Sequence, residues 1–474
     1  MKRFLFGFLI LFILIFITSP SGEAQSLRHQ TEEVILLKIG SNQLWMNGDI
    51  ARTMDVAPFI ENNRTWVPIR FVSEALGAEV GWKQEAQQAT VKFGETTLII
   101  TIGSNSLLVN GQAKPIDVAP FLKSNRTWVP LRFVAENLGC SVSWVQGAQE
   151  VVIRRGQFSG PTVGYIQNGQ LIIQEVSGGS PGAKKVVAGG NVTGEEIAGP
   201  IAWSFNGLKV AYYRIQKLNF DFFRLALEYS VEVSGKKTLL LSRDKAYGGL
   251  KALSWSPGDA YILYDEPTSD VSGTLWLVMV EEQDSAILGE EGEVIYGTFS
   301  PDGFHQAWLA YGDEGISVLV LDENGVQFEI QDITGGFAWS PDGGSLAVST
   351  SQGIEIYDVT SPGMPPEVYA FPGYAYYLFW SPDRNWIAGS CSDGTFALYL
   401  GWGQTPWPNT FPGDLSLIDR YHPSAPAGFL PSGELIIEHT GEVSSGASNF
   451  YIYDPQTQNL SLLLENAEHL AVRP

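Results

Sequence analysis

Few residues of this 474-residue chain have a spacing that could do chemistry. Gly178-Gly179-Ser180-Pro181-Gly182 has the Gly-x-Ser-x-Gly form of a nucleophile elbow, in which a sharp strand-to-helix turn lifts a serine above a parallel sheet. Here the pentapeptide joins the runs QLIIQEV and KKVVAG, with Pro181 after the serine, so a hairpin loop is expected and no nucleophile. His305, His422, His439 and His469 are scattered, with neither His-x-x-x-His nor Cys-x-x-Cys spacing. The run Asp322-Glu323-Asn324-Gly325 lacks the later ligands of a calcium loop. No phosphate-cradling glycine loop ending in Lys-Ser/Thr is present. These residues assign no catalytic group, metal set or cofactor.

Aromatic side chains offer a softer signal. FPGYAYYLFW from Phe371 and LGWGQTPWPNTFPGD from Leu400 are dense in Tyr, Trp, Pro and Gly. Tyr374, Trp402 and Trp407 could there stack on sugar rings or grip a peptide, or else cover their own part of the fold.

The elements that would carry these loops follow from a repeat. AWSFNG, SWSPGD, TFSPDG, AWSPDG, FWSPDR and FLPSGE, at Ala202, Ser254, Thr298, Ala338, Phe379 and Phe429, recur at intervals of 52, 44, 40, 41 and 49 residues counted on the motif's aromatic residue. A period of 40 to 50 residues with four short strands per unit predicts a β-propeller over residues 158–474. The aromatic residues of the motif, Trp203, Trp255, Trp339 and Trp380, should pack between blades. Asp302, Asp342 and Asp383 should close tight turns, where Pro presets φ and Asp bonds its own backbone. TVGYIQ, QLIIQEV and KKVVAG look like a blade without its first strand, and EHLAVRP at the C-terminus looks like that strand alone. The expectation is seven blades closed by the C-terminal strand, with six as the alternative. The motif resembles WD-like and TolB-like propeller repeats, with departures at Phe205-Asn206, Gly258-Asp259 and Pro431-Ser432; the resemblance implies a binding platform.

A second repeat precedes it. NRTWVPIRFVSEALGAEVGW from Asn63 returns as NRTWVPLRFVAENLGCSVSW from Asn125, inside two units of about 62 residues, 34–95 and 96–155, within a region bounded by 31 and 157. Asn47-Gly48 and Asn110-Gly111 read as hairpin turns, Pro68 and Pro130 as helix openers, and Gly77 and Gly139 as helix stops. Each unit reads as hairpin, short helix, hairpin, so the chain is mainly β, with two small α+β units ahead of the propeller. Ile69, Phe71, Val72, Ala75 and Leu76 form the apolar helix face. Trp66, Trp128, Arg70 and Arg132 are structural: the tryptophans are core, Arg70 and Glu74 are spaced for an intrahelical ion pair, and Arg64 ties a loop to carbonyls.

These residues resemble the copper amine oxidase N-terminal domain, or stalk domain, found in secreted and envelope proteins of Gram-positive bacteria. The resemblance implies a noncatalytic, surface-associated spacer. The oxidase's own catalytic domain needs three His ligands and an Asn-Tyr-Asp/Glu tyrosine; residues 31–160 hold no His and the chain has no Asn-Tyr pair, so copper oxidation is not expected.

Residues 1–24 read as a signal peptide: Lys2 and Arg3, an apolar run from Phe4 to Ile17, then small residues to Ala24. That run is short for a membrane span, and no later segment could be one. Cys140 and Cys391 fall in different domains and read as buried apolar residues. The net charge of -22 is uneven: residues 25–157 hold 13 Lys+Arg against 12 Asp+Glu, residues 158–474 hold 14 against 38, and none of Lys or Arg lies between Lys251 and Arg384. Such a surface excludes nucleic acid and anionic lipid, and keeps calcium as the one ion to consider. The expected protein is an exported, extracellular or envelope-associated monomer that binds an envelope protein, peptide or glycan. A propeller-based hydrolase or lyase and a purely structural component are the alternatives.

Overall fold

The computed structural model describes residues 33–474 apart from 157–159, 178–179, 190–194, 219–221, 233, 247–251, 268–272, 289–293, 313–314, 371–374, 376, 392–393, 401–423, 440–447 and 455–458. In the stalk, the first unit contains β1 (Glu33–Lys38), β2 (Gln43–Met46), β3 (Asp49–Thr53), β4 (Phe59–Glu61), β5 (Arg64–Pro68), α1 (Ile69–Ala75), β6 (Glu79–Lys83) and β7 (Gln88–Phe93). The second repeats it as β8 (Thr96–Thr101), β9 (Ser106–Val109), β10 (Gln112–Pro115), β11 (Phe121–Lys123), β12 (Arg126–Pro130), α2 (Leu131–Asn137), β13 (Ser141–Val145) and β14 (Glu150–Arg155). Both residues of each Asn-Gly turn have positive φ, 53° and 91° in the first unit and 51° and 81° in the second, the conformation a two-residue hairpin demands. Pro68 and Pro130 end a strand and cap the helix with extended ψ, one residue before the helical turn expected of them.

The units are not two beads. The three stalk sheets run β13-β14-β1-β2-β3, β10-β9-β8-β7-β6 and β11-β12-β5-β4, so every one takes strands from both units. β5 and β12 pair about Val67↔Val129, which makes a pseudo-twofold axis of the repeated phrase. One core holds Ile35, Val72, Val91, Leu98, Val134 and Ile153 together. Neither unit alone has enough apolar area to bury, so the two share it. Trp66 and Trp128 are 2% and 4% exposed, and each packs on a phenylalanine of the other unit, Phe121 and Phe59. Arg64 donates to the Asn63 carbonyl, as its loop role implies, and also pairs with Asp117 of the other unit; Arg126 and Asp55 repeat the pair in reverse. Glu74 pairs with Arg52 rather than with Arg70, whereas Arg132 and Glu136 do form the intrahelical pair, at 3.4 Å.

From Thr162 onward the strands are antiparallel, and consecutive within each sheet except where Thr162–Gln167 pairs with the C-terminal strand. Residues 195–246, 253–288, 294–330 and 333–369 form four four-stranded sheets, and 377–399 contribute three strands. The C-terminal strand Asn459–Val472 is shared: up to Ala467 it pairs with Ser448–Asp454, and from Glu468 it pairs with Thr162–Gln167, Val163 facing Val472. The segment expected as a lone strand is thus the far half of one 14-residue strand. Asn466 and His469, both with positive φ, flank the handover.

The repeated motif has one geometry. Its serine hydroxyl accepts from the backbone N–H five residues on, at 2.9 to 3.0 Å in Ser204, Ser256, Ser300, Ser340 and Ser381. The hydroxyl of Ser300, Ser340 or Ser381 donates to the following aspartate, which also accepts a backbone N–H two residues further on, an Asx turn. The tryptophan reaches across to the preceding sheet. Trp255 Nε1 donates to the Ala202 carbonyl at 3.1 Å, Trp380 to Ala338 at 3.0 Å, and Trp339 to the Thr298 hydroxyl at 3.0 Å. Trp203 donates to Ala471 at 3.2 Å, so Ala471-Val472 stands where Ala-Trp stands in other repeats. Of the serine pentapeptide, Gly178 and Gly179 lie outside the described residues, and Ser180 opens a strand that pairs with the one before it, Ser177 facing Ser180.

Candidate functional site

A buried polar assembly lies where stalk meets propeller. Most stalk strands bury one face, but β14 buries both: Val151 and Ile153 enter the stalk core, while Val152 packs with Val34, Leu36, Ala148 and Leu208 of the propeller. At Glu232, one carboxylate oxygen accepts from Arg154 at 2.6 Å and the other from Arg473 at 2.8 Å, with all three side chains at most 7% exposed. The guanidiniums' other donors go to the Asn206, Gly207 and Gly160 carbonyls. Beside them, Asn206 Nδ2 donates to Glu150 at 3.3 Å and to Asp259 at 2.8 Å, and Lys209 lies 3.3 Å from Asp259. Burial pushes the Glu150 carboxyl up, helped by the charge of Asp259, and burial pushes Asp259 up against the pull of Lys209 and Asn206. Three cations and three carboxylates thus balance, which is the condition for burying them. Apart from the partly exposed Lys209, the arrangement is buried, and it fixes geometry.

Gly147 completes the joint. A Cβ there would sit 2.5 Å from Pro257 and 2.7 Å from the Asp302 backbone, so only glycine lets the propeller turns approach. Unit-to-unit comparison held this signal, and motif reading missed it: Glu85, Gln88, Thr90 and Lys92 of the first unit become Gly147, Glu150, Val152 and Arg154 in the second. Two of the degraded propeller motifs, at Asn206 and at Gly258-Asp259, meet the stalk, as does the intact one at Asp302-Gly303.

The stalk also carries two open clefts related by its pseudo-twofold axis, of about 900 Å³ and 410 Å³. The larger lies between α2, the edge strand β13 and the β4–β5 turn of the other unit; the smaller repeats it with α1, β6 and the β11–β12 turn. Phe71, expected on the core face of its helix, is half-buried and lines the smaller cleft, while Ile69, Val72, Ala75 and Leu76 are buried.

Of the residues singled out by sequence, Tyr374, Trp402, Trp407 and His422 lie outside the described residues, as does the side chain of Cys391. His305, His439 and His469 stand apart. His469 fills the space left by Gly199, and burial holds its imidazole below the usual range. Asp322 accepts from Asn324 N–H in a hairpin turn. Cys140 is 6% exposed, its thiol pushed up to about 11 by burial. Burial would raise Asp342, but the Ser340 hydroxyl, the Gly344 N–H and the Arg384 guanidinium hold it below the usual carboxylate range. Among the described residues, no three His, Cys, Asp or Glu side chains gather to hold a metal.

Comparison with known proteins agrees with these elements. Residues 23–88 and 45–153 match the copper amine oxidase N-terminal domain. No match to a curated protein was found. Among solved structures, the chain is similar to TolB from Acinetobacter baumannii, at 12% identity over 85% of either chain with a TM-score of 0.40. It is also similar to a periplasmic gluconolactonase of Pseudomonas aeruginosa, at 13% identity over 66% of this chain and 99% of that one, TM-score 0.45. The β-propeller domain of the trilobed protease from Pyrococcus furiosus gives 13% identity, 58% and 84% coverage, and 0.41. The chain is mainly β: the copper amine oxidase N-terminal domain match falls on its first part, and four-stranded antiparallel sheets of β-propeller type follow. No helix among the described residues is long and apolar enough to cross a membrane.

Proposed function

We propose that this chain is an exported, noncatalytic binding and scaffold protein of the bacterial cell envelope. Its stalk pair holds a seven-bladed propeller, closed by the C-terminal strand, whose loops recognise a protein, peptide or glycan. Glu232 carries the reading: one buried carboxylate ties the last strand of the stalk to the last residues of the propeller, which makes a fixed mount rather than a flexible tether. The signal-like residues 1–24 support export, and the engagement of the motif serines, aspartates and tryptophans in the fold supports a platform without chemistry of its own. Selection then falls to the loops, with Tyr374, Trp402 and Trp407 as the proposed contacts and the acidic sector as a place for calcium.

The test is a pull-down from fractionated envelope of the producing cell with the full chain, with and without calcium, beside the Trp402→Ala/Trp407→Ala variant and Gly147→Glu. Retention of one defined envelope component, lost in the tryptophan variant, is expected. Gly147→Glu should keep that binding while separating one thermal transition into two, because it parts mount from platform. No retained component under either condition overturns the reading.

A further inference from the structure

We propose that the two stalk clefts are a paired binding site for an uncharged, repeating glycan. This goes beyond the mounting role given to the stalk above and does not depend on what the propeller binds. Each cleft is composite: Arg132, Phe133 and Trp144 of the second unit face Asn63 and Arg64 of the first, and Arg70, Phe71 and Trp82 face Asn125 and Arg126. Phe133 and Trp144 are half-buried, one side packed on the stalk core and the rest lining the cleft. Such aromatic faces suit the C–H face of a sugar ring.

In the larger cleft the polar lining favours a neutral ligand; the smaller is lined by Arg70 and by Arg126, which is paired with Asp55. In the larger cleft Arg64 is held by Asp117 through Nε at 2.8 Å, and Arg132 lies 3.4 Å from Glu136; all four residues line it, and their charges cancel. Guanidinium and carboxylate side by side offer donors and acceptors at the spacing of neighbouring hydroxyls, while a charged ligand would gain nothing net. The smaller cleft holds Trp82 Nε1 on Gln84 Oε1 at 2.7 Å, placing an amide at its rim.

Two further observations separate this from carpentry. Arg70 and Arg132, and Gln84 and Gln146, are exposed and identical in both units, whereas exposed neighbours outside the clefts drift, Glu61 to Lys123 and Glu79 to Ser141. The clefts also come as a pair on one shared core, so a polymer long enough to reach both engages the second at raised effective concentration, which a single small ligand cannot do.

The experiment is calorimetric titration of the full chain with the hexamer and the dimer of β-1,4-linked N-acetylglucosamine, and with cellohexaose. Binding of a hexamer at least tenfold tighter than the dimer is expected. Arg132→Ala, an exposed change that leaves the core intact, should weaken it severalfold, Trp144→Ala at least tenfold with partial recovery in Trp144→Phe, and Trp82→Ala with Trp144→Ala should abolish it. The proposal is overturned if neither hexamer binds, if binding is indifferent to Arg132→Ala and the tryptophan changes, or if an extended peptide added along β13 displaces the sugar and binds more tightly. The propeller pull-down above reads different residues, so either result can fail alone.

Discussion

Stalk and propeller are both built by repetition, and they use it in opposite ways. The stalk units exchange strands, so that β1 pairs with β14 and β7 with β8, and a single core serves both. Apart from the shared C-terminal strand, the propeller repeats keep their sheets to themselves and join through a tryptophan that donates to the neighbouring sheet. A 62-residue unit with one short helix cannot close a core alone, whereas a four-stranded sheet needs only a neighbour on each face. Repetition in sequence therefore states that units pack, without saying how intimately.

The sharpest way to break that contrast is to isolate one stalk unit. Residues 33–95 alone should show no cooperative melt by circular dichroism, while residues 33–155 should melt as one unit; a folded single unit would overturn the shared-core account. Next in size is Glu232→Ala, which leaves Arg154 and Arg473 buried without their carboxylate. Chemical denaturation should show a loss of roughly 3–5 kcal/mol, and a smaller one in Glu232→Gln.

Within the propeller, Ser340→Ala removes one donor and one acceptor at a fully buried hydroxyl and should cost about 1–3 kcal/mol, confined to its own sheet by hydrogen exchange. The smallest effect is on pH. Glu150 and Asp259 have raised carboxyl values, so the folded junction binds protons that the unfolded chain has lost; its stability is fullest below about pH 4 and falls as pH rises through the raised values. Asp55 and Asp117, lowered by the hydrogen bonds of Arg126 and Arg64, have the opposite sign, and their contribution is lost as pH falls through their values. Glu150→Gln should narrow the difference in melting temperature between pH 5 and pH 8; an unchanged difference would remove the junction carboxylate from the account.

Much of the scaffold was legible. The Asn-Gly turns, the glycine helix stops, the motif aspartates as turn residues and the tryptophans between sheets all follow from local rules that act within a few residues. What escaped were relations between distant positions. The Arg70–Glu74 spacing invited an intrahelical pair, but Arg52 from another strand reached Glu74 first. Glu232 and Arg473 carry no motif, and their role exists only because the fold brings them together with Arg154 of β14. The clefts are invisible along the chain because each borrows its turn from the other unit.

By itself, the sequence determined the two periods, the strand-rich class, the turns and the uneven charge, since periodicity and backbone preference are properties of neighbours. Only the tertiary structure decided that the stalk units share strands, that the stalk grips one face of the propeller through a buried carboxylate, and that two composite clefts stay open. The physical reason is desolvation. Whether a charge or an aromatic ring is spent on the fold or left for a ligand depends on what covers it, and cover is supplied by residues tens or hundreds of positions away.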